Sequence, residues 1–248
     1  MPTDEKKARF GKTGQVITTI LTVPALILTL KYLIILLFVD TGGLKTLISA
    51  VWLLVVGTVF LSKSRIHLVL SVLFTLAVLF VLFLFSIYPP SIYSHKPSKY
   101  AAQCKFIDKK IYEGGTDDFP DVLPENISDY EFSCEPGFLQ GIGHCSARFT
   151  ASEDIIKDYE SEYAPQAIYT IPLKKFNYGR TTVEKISPKA EQSYSSDYSL
   201  DIWSDGDFWA DTDATVYVLS AVHNRNHPHS SAVIISKDKT KIQFTQLG

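Results

Sequence analysis

A chain of 248 residues with three cysteines and a net charge of −2 is long enough for more than one folding unit, and its charges are unevenly shared. Residues 1–94 hold eight of the 24 basic and three of the 26 acidic residues, which leaves 95–248 acidic. An acidic surface repels phosphate, which sets nucleic acid aside as a partner, and the asymmetry points to two environments rather than one globule.

Three apolar runs fill the first part of the chain, at 16–39, 44–61 and 66–88. A helix needs about 20 residues to cross the hydrocarbon core of a bilayer, and each run meets or approaches that length. The links are short, "DTGG" at 40–43 and "SKSR" at 62–65, so the expected arrangement is an all-α, up-down-up three-helix membrane anchor. Lys6, Lys7, Arg9 and Lys12 precede the first run, and Lys63 and Arg65 sit in the second link. The positive-inside rule then puts the tail 1–15 in the cytoplasm and everything after the third run outside, in an extracytoplasmic domain of the plasma membrane. Lys96, Lys99 and Lys105 run against this bias, but long translocated domains are less bound by the rule. The first run is too long for a typical signal peptide and no small-residue cleavage site follows it before Asp40. Apart from Lys45 at the start of the second run, Lys31 is the one charge inside a run, within snorkelling reach of the outer interface, which reads as an anchor or partner surface rather than an ion path.

"YPPSIYSHKPSKY" at 88–100 reads as a stiff spacer, with 89–97 as linker and 98–248 as one α+β domain. Tyr100, Cys104, Ile107 and Ile111 recur at helical spacing near 98–111. "SDYEFSC" and "CSARFT" alternate as strands around the turn "EPGFLQGIG". "SEDIIKDYESEYAP" predicts a helix capped by Ser152 and followed by Pro165. "SLDIW" predicts a further strand. The runs 214–222 and 232–236 predict central strands, and 241–247 a half-exposed hairpin partner after the turn "KDKT". The sheet should be mainly antiparallel.

All three cysteines fall in the domain placed outside, where oxidation is allowed. If the two alternating strands pair, Cys134 and Cys145 flank their turn on one face, close enough for a disulfide, with Cys104 buried on its helix. The alternative is three small core residues. "HNRNHPHSS" at 223–231 holds three of the six histidines between two strands. It reads as a structured turn; a metal ion on His223, His227 and His229 is the alternative, and would need ligands from elsewhere, since the loop holds no carboxylate or cysteine. "DIWSDGDFWADTD" at 201–213 fails the EF-hand pattern at its third and twelfth positions. Asp201, Trp203, Asp205, Asp207 and Trp209 could still bind a sugar, a peptide or calcium; the plainer reading is a solvated turn whose aromatic side chains cover the core edge.

Catalytic patterns are thin. His144 and Cys145 are neighbours in a strand, so their side chains face opposite ways and form no dyad. "GIGHCS" and "GKT" lack the context of a phosphate loop. The expected function is therefore a multi-pass membrane protein that presents a binding or interaction domain, as a sensor or as an accessory subunit beside another membrane or envelope protein. No cofactor is called for. The alternative is a membrane-anchored envelope hydrolase, metal-assisted through the histidine loop. The excess of 19 lysines over five arginines fits an AT-rich bacterial genome.

Overall fold

The computed structural model describes all residues except 1–2, 63–64, 88–89, 111–114, 138–140, 184–190, 193–198, 210–212 and 224–227. The chain forms two compact units, Met1–Pro89 and Pro90–Gly248.

The first unit is three helices: α1 (Thr3–Val39), α2 (Gly43–Ser62) and α3 (Arg65–Ile87). Among the described residues two stretches, Thr13–Val39 and Ile66–Ile87, are long and apolar enough to cross a membrane; the comparable stretch of α2, Gly43–Thr58, is shorter. Ala25, Trp52, Val56, Val78 and Leu82 pack between the helices. Trp52 Nε1 donates to Thr75 Oγ1 at 2.9 Å, which ties α2 to α3 where both side chains are buried. Thr18, Thr22 and Thr29 turn their hydroxyls back onto carbonyls four residues earlier, so α1 carries these polar groups without leaving them unbonded. Pro24 lies within α1, and Lys31 is exposed with its ammonium 5.6 Å from the Tyr32 ring centre.

The second unit is an α+β domain. Its elements are β1 (Ile92–Ser94), α4 (Tyr100–Lys110), β2 (Ser128–Glu135), β3 (His144–Thr150), α5 (Glu153–Tyr163), β4 (Tyr169–Pro172), β5 (Arg180–Thr182), β6 (Glu191–Gln192), β7 (Ser199–Asp201), α6 (Gly206–Trp209), β8 (Ala214–His223), β9 (His229–Ser236) and β10 (Lys241–Leu247). The main sheet runs β1-β2-β3-β10-β9-β8-β4, antiparallel throughout; β6 adds a parallel pairing to β8, and β5 and β7 form a separate pair. Residues 92–94, expected in the spacer, pair with Cys134, Ser133 and Phe132 as an edge strand.

Both faces of the sheet are covered. On the first, Phe244 of β10 is fully buried among Phe119, Phe149, Tyr159 and Tyr163, with ring centres 5.4–6.3 Å away. The contacts with Tyr159 and Tyr163 are edge-to-face, and such pairs each add about 0.5–1.5 kcal/mol beyond the area they bury. Here α5 covers β10, and Tyr100 of α4 stands edge-on to Tyr130 and Phe132 of β2. On the second face Val216, Val218, Ala232 and Ile234 meet Leu200, Ile202, Phe208 and Trp209 from β7, α6 and the residues between them.

Two expectations change. β10 is no half-exposed partner: it lies between β3 and β9, and Ile242, Phe244, Gln243 and Thr245 are all buried. Its alternation of apolar and polar residues reflects two kinds of core, one aromatic and one hydrogen-bonded. Ser152 stands at the N-cap of α5 with extended backbone angles, but its side chain makes no capping bond; its carbonyl accepts from Ile156 N–H at 3.1 Å.

Glu160 of α5 ties that helix to the sheet. It accepts from Tyr217 Oη and from Lys239 Nζ, the latter at 2.5 Å. Burial pushes its carboxyl up, but the hydrogen bonds from Lys239 and Tyr217 outweigh that and hold it below the usual carboxylate range. A carboxyl depressed by folding stabilises the fold above its unfolded value of about 4.3, and that contribution disappears as pH falls through the lower folded value. Glu160→Gln should therefore cost about 1 kcal/mol at pH 7. The gap between variant and wild type should close as the pH is taken well below 4, read by urea titration of the full chain in detergent at each pH. A gap that widened in acid would contradict the assignment.

A candidate ligand-binding cleft beside Trp203

A tight turn builds the wall of the candidate site. Asn177 N–H bonds to Arg180 O at 2.8 Å and Arg180 N–H to Asn177 O at 3.0 Å. The two residues between, Tyr178 and Gly179, have φ of 50° and 78°. Positive φ at both central positions is the hairpin turn that asparagine and glycine normally fill. Gly179 meets that need: a Cβ there would stand 2.6 Å from Ile202 O, in a strained backbone region. Tyr178 does not meet it, and its ring is wholly exposed at the turn's tip. Holding a bulky residue in this region costs about 1 kcal/mol or more.

The turn faces β7. Arg180 and Asp201 are cross-strand partners, and their side chains form a two-point ion pair, Nε to Oδ1 at 2.5 Å and Nη2 to Oδ2 at 2.8 Å. A fork-to-fork pair fixes the planes of both groups. Asp201 is further held through its backbone carbonyl, which accepts from Ser230 Oγ at 2.5 Å. Two residues on, Trp203 leaves the strand and lies flat on His144 of β3, ring centres 3.6 Å apart and planes 18° from parallel. Burial pushes the His144 imidazole below its ordinary value against the opposing pull of Glu135, which keeps it neutral near pH 7. Together with Ile142 and Pro228 these groups enclose a cleft of about 490 Å³, within the usual range of about 300–1,000 Å³ for small-molecule sites.

The acidic and aromatic stretch 201–209 is thus divided. Asp201 and Trp203 line this cleft. Asp205 instead pairs with Arg148 at 3.0 Å, and Arg148 also bonds Glu131 at 2.6 Å and lies 4.7 Å over the Phe208 ring. Asp207 borders a second cleft of about 440 Å³ beside that network. Trp209 is buried and donates its indole N–H to Gln243 Oε1 at 2.8 Å. The five residues do not form one site.

The histidine loop is divided as well. His223 is fully buried, with Nδ1 2.8 Å from Ser199 O and Nε2 3.2 Å from Tyr169 Oη, so both ring nitrogens are engaged. His229 is exposed and pairs in register with Val222, so it faces the opposite side of the sheet from His223. His227 lies outside the described residues. Among the described residues no three histidine, cysteine or carboxylate side chains gather as a metal would require. What the loop gives the cleft is Pro228.

The structure bonds Cys134 to Cys145, across the register pair that joins β2 to β3. Cys145 faces the aromatic core while its neighbour His144 faces Trp203, as strand alternation requires. Cys104 is a free thiol, and burial pushes it up to about 11.

No protein-family model matches the chain, and no curated protein or solved structure is significantly similar to it.

Two measurements check this geometry. Tyr178→Asn should raise the stability of the domain by about 1 kcal/mol, because asparagine tolerates the left-handed backbone better; a loss of stability would mean that the exposed ring is held for folding. In an NMR titration the His144 ring should show a midpoint below about 6.5, and Trp203→Ala should move it back up by removing the ring that buries it.

Proposed function

We propose that this is a multi-pass membrane protein whose three N-terminal helices anchor a small extracytoplasmic domain, and that the domain binds a ligand in the cleft beside Trp203. The observation that carries the reading is the pairing of an apolar helical unit with a separately folded domain that keeps an aromatic, hydrogen-bonding cleft open. Many large apolar side chains of the helices point outward, among them Ile20, Leu54, Leu73 and Phe80, each about 60–70% exposed. In water each would forgo about 1.5–3 kcal/mol of burial, whereas lipid removes that penalty. The spread of such residues over α1, α2 and α3 supports three crossings rather than two. Charge placement supports a cytoplasmic N-terminus, and the disulfide supports an oxidising location for the domain. A sensor, or a subunit that delivers a ligand to a neighbouring membrane or envelope protein, is the role that fits. The envelope-hydrolase alternative draws less support, since His223 has both ring nitrogens engaged and faces away from His229.

Two engineered thiols test the topology. Gly11 and Tyr178 are exposed positions on the two sides predicted to be separated by the membrane. Tyr178→Cys should react with an impermeant maleimide in intact cells, and Gly11→Cys only after lysis. Native Cys104, protonated at neutral pH, should give a low background. Under denaturing conditions the wild-type chain should gain two reactive thiols on reduction. Tyr178→Cys reacting only after lysis would turn the domain inward and remove the reading.

A further inference from the structure

We propose that the cleft beside Trp203 takes an uncharged oligosaccharide, an assignment that rests on the binding role given above. Three features of the cleft narrow the ligand to this class.

The first is charge. Arg180 and Asp201 neutralise each other through two hydrogen bonds, and His144 is held neutral by burial. The lining therefore has no net charge with which to select an acidic or a basic ligand. The second is surface. Trp203 is 39% exposed and backed by the His144 ring, which fixes its plane; Tyr178 stands wholly exposed at the rim. Pyranose rings present flat faces of C–H bonds that lie against aromatic faces, and rigid aromatic side chains lose little entropy in receiving them. At their edges they carry hydroxyl groups. The Asp201 carboxylate, oriented by Arg180, can accept from such groups through the lone pairs its ion pair leaves, and the Asn177 amide offers both a donor and an acceptor.

The third is the backbone. An extended peptide is recognised mainly through main-chain bonds. Here much of the wall's backbone is already bonded within it: Asn177 and Arg180 bond each other, and Ile202 N–H bonds Gly179 O at 2.8 Å. Recognition then falls mainly to side chains, which suits a saccharide. The strained Tyr178 fits the same account. Folding alone favours glycine or asparagine at its position, so the ring is there for what it touches.

The test uses the full chain in lipid nanodiscs free of sugar-based detergent, with calorimetric titration. The probes are the neutral β-1,4-linked hexamers of N-acetylglucosamine and of glucose, an α-1,4-linked glucose hexamer, an acidic galacturonate hexamer and an alanine-rich peptide. At least one neutral hexamer should bind with a Kd between about 10 μM and 1 mM. Trp203→Ala and Tyr178→Ala should each weaken it by about tenfold or more, while Trp203→Phe keeps most of the affinity. Tyr178→Asn, expected to fold at least as well as wild type, should lose binding alongside Tyr178→Ala, which separates a lost contact from a lost fold. No binding of any neutral hexamer up to about 10 mM would overturn the assignment. So would Trp203-dependent binding of the acidic hexamer or the peptide instead, although the binding role would then survive. The extracytoplasmic placement fails separately, if Tyr178→Cys is reached only from the cytoplasm, and the binding role fails if none of the probes binds.

Discussion

The side chain of Gln243 holds the second face of the domain together. It projects from the middle of β10 and is fully buried. Its oxygen accepts from the Trp209 indole at 2.8 Å and from Asp205 N–H at 3.2 Å, and its nitrogen donates to Ser146 Oγ at 3.2 Å. A buried carboxamide left without partners costs about 1–3 kcal/mol, so each of these groups constrains where the others sit. The position of the 205–209 segment follows from it. With Trp209 and Asp205 fixed, Phe208 closes over the apolar residues of β8 and β9, and the residues just upstream must run along the end of β3, where Trp203 meets His144. A polar residue in a central strand thus does for the second layer what the aromatic cluster around Phe244 does for the first.

Much of the architecture could be read from residue patterns, because those patterns are local. Helical spacing marked α4, signals at its two ends marked α5, alternation marked β2 and β3, and unbroken apolar runs marked β8 and β9. The place of β10 could not be read in that way. Alternating residues in "KIQFTQL" ordinarily mean one face in water, and only the long-range partners Trp209 and Ser146 make the polar face an interior one. Ile92 and Ser94 were hidden for a similar reason. Three residues after a Pro-Pro pair look like spacer, and what makes them a strand is the free edge of β2.

The candidate site was legible only in fragments. Asp201 and Trp203 belonged to a stretch that composition singled out, yet composition could not show that alternate residues of that stretch would go to two clefts and the core. His144 had been weighed only as a partner for Cys145. Its role as the backing of Trp203 depends on a contact across 59 residues of chain. Tyr178, Gly179 and Arg180 did leave a trace: asparagine and glycine two apart in "NYGR" are a turn signal. What that signal cannot carry is the exposure of the tyrosine or the facing carboxylate of Asp201, since both follow from the pairing of β5 with β7.

The order of strands in the sheet also bears on how the protein is made. β10 is the last strand in the chain, and it lies between β3, nearly a hundred residues earlier, and β9. A ribosome that has delivered β1 to β9 has produced two half-sheets with no seam between them. Neither aromatic core nor glutamine network can form until residues 241–247 arrive. Pairings this distant in sequence are slow to close, and unpaired strand edges are prone to aggregate while they wait. The helices of the first unit, local in their contacts, are complete long before that moment. The sheet therefore cannot close until residues 241–247 have been made, and its two cores form with that one step; a nascent chain stalled short of them would leave an open sheet for quality-control proteases to find.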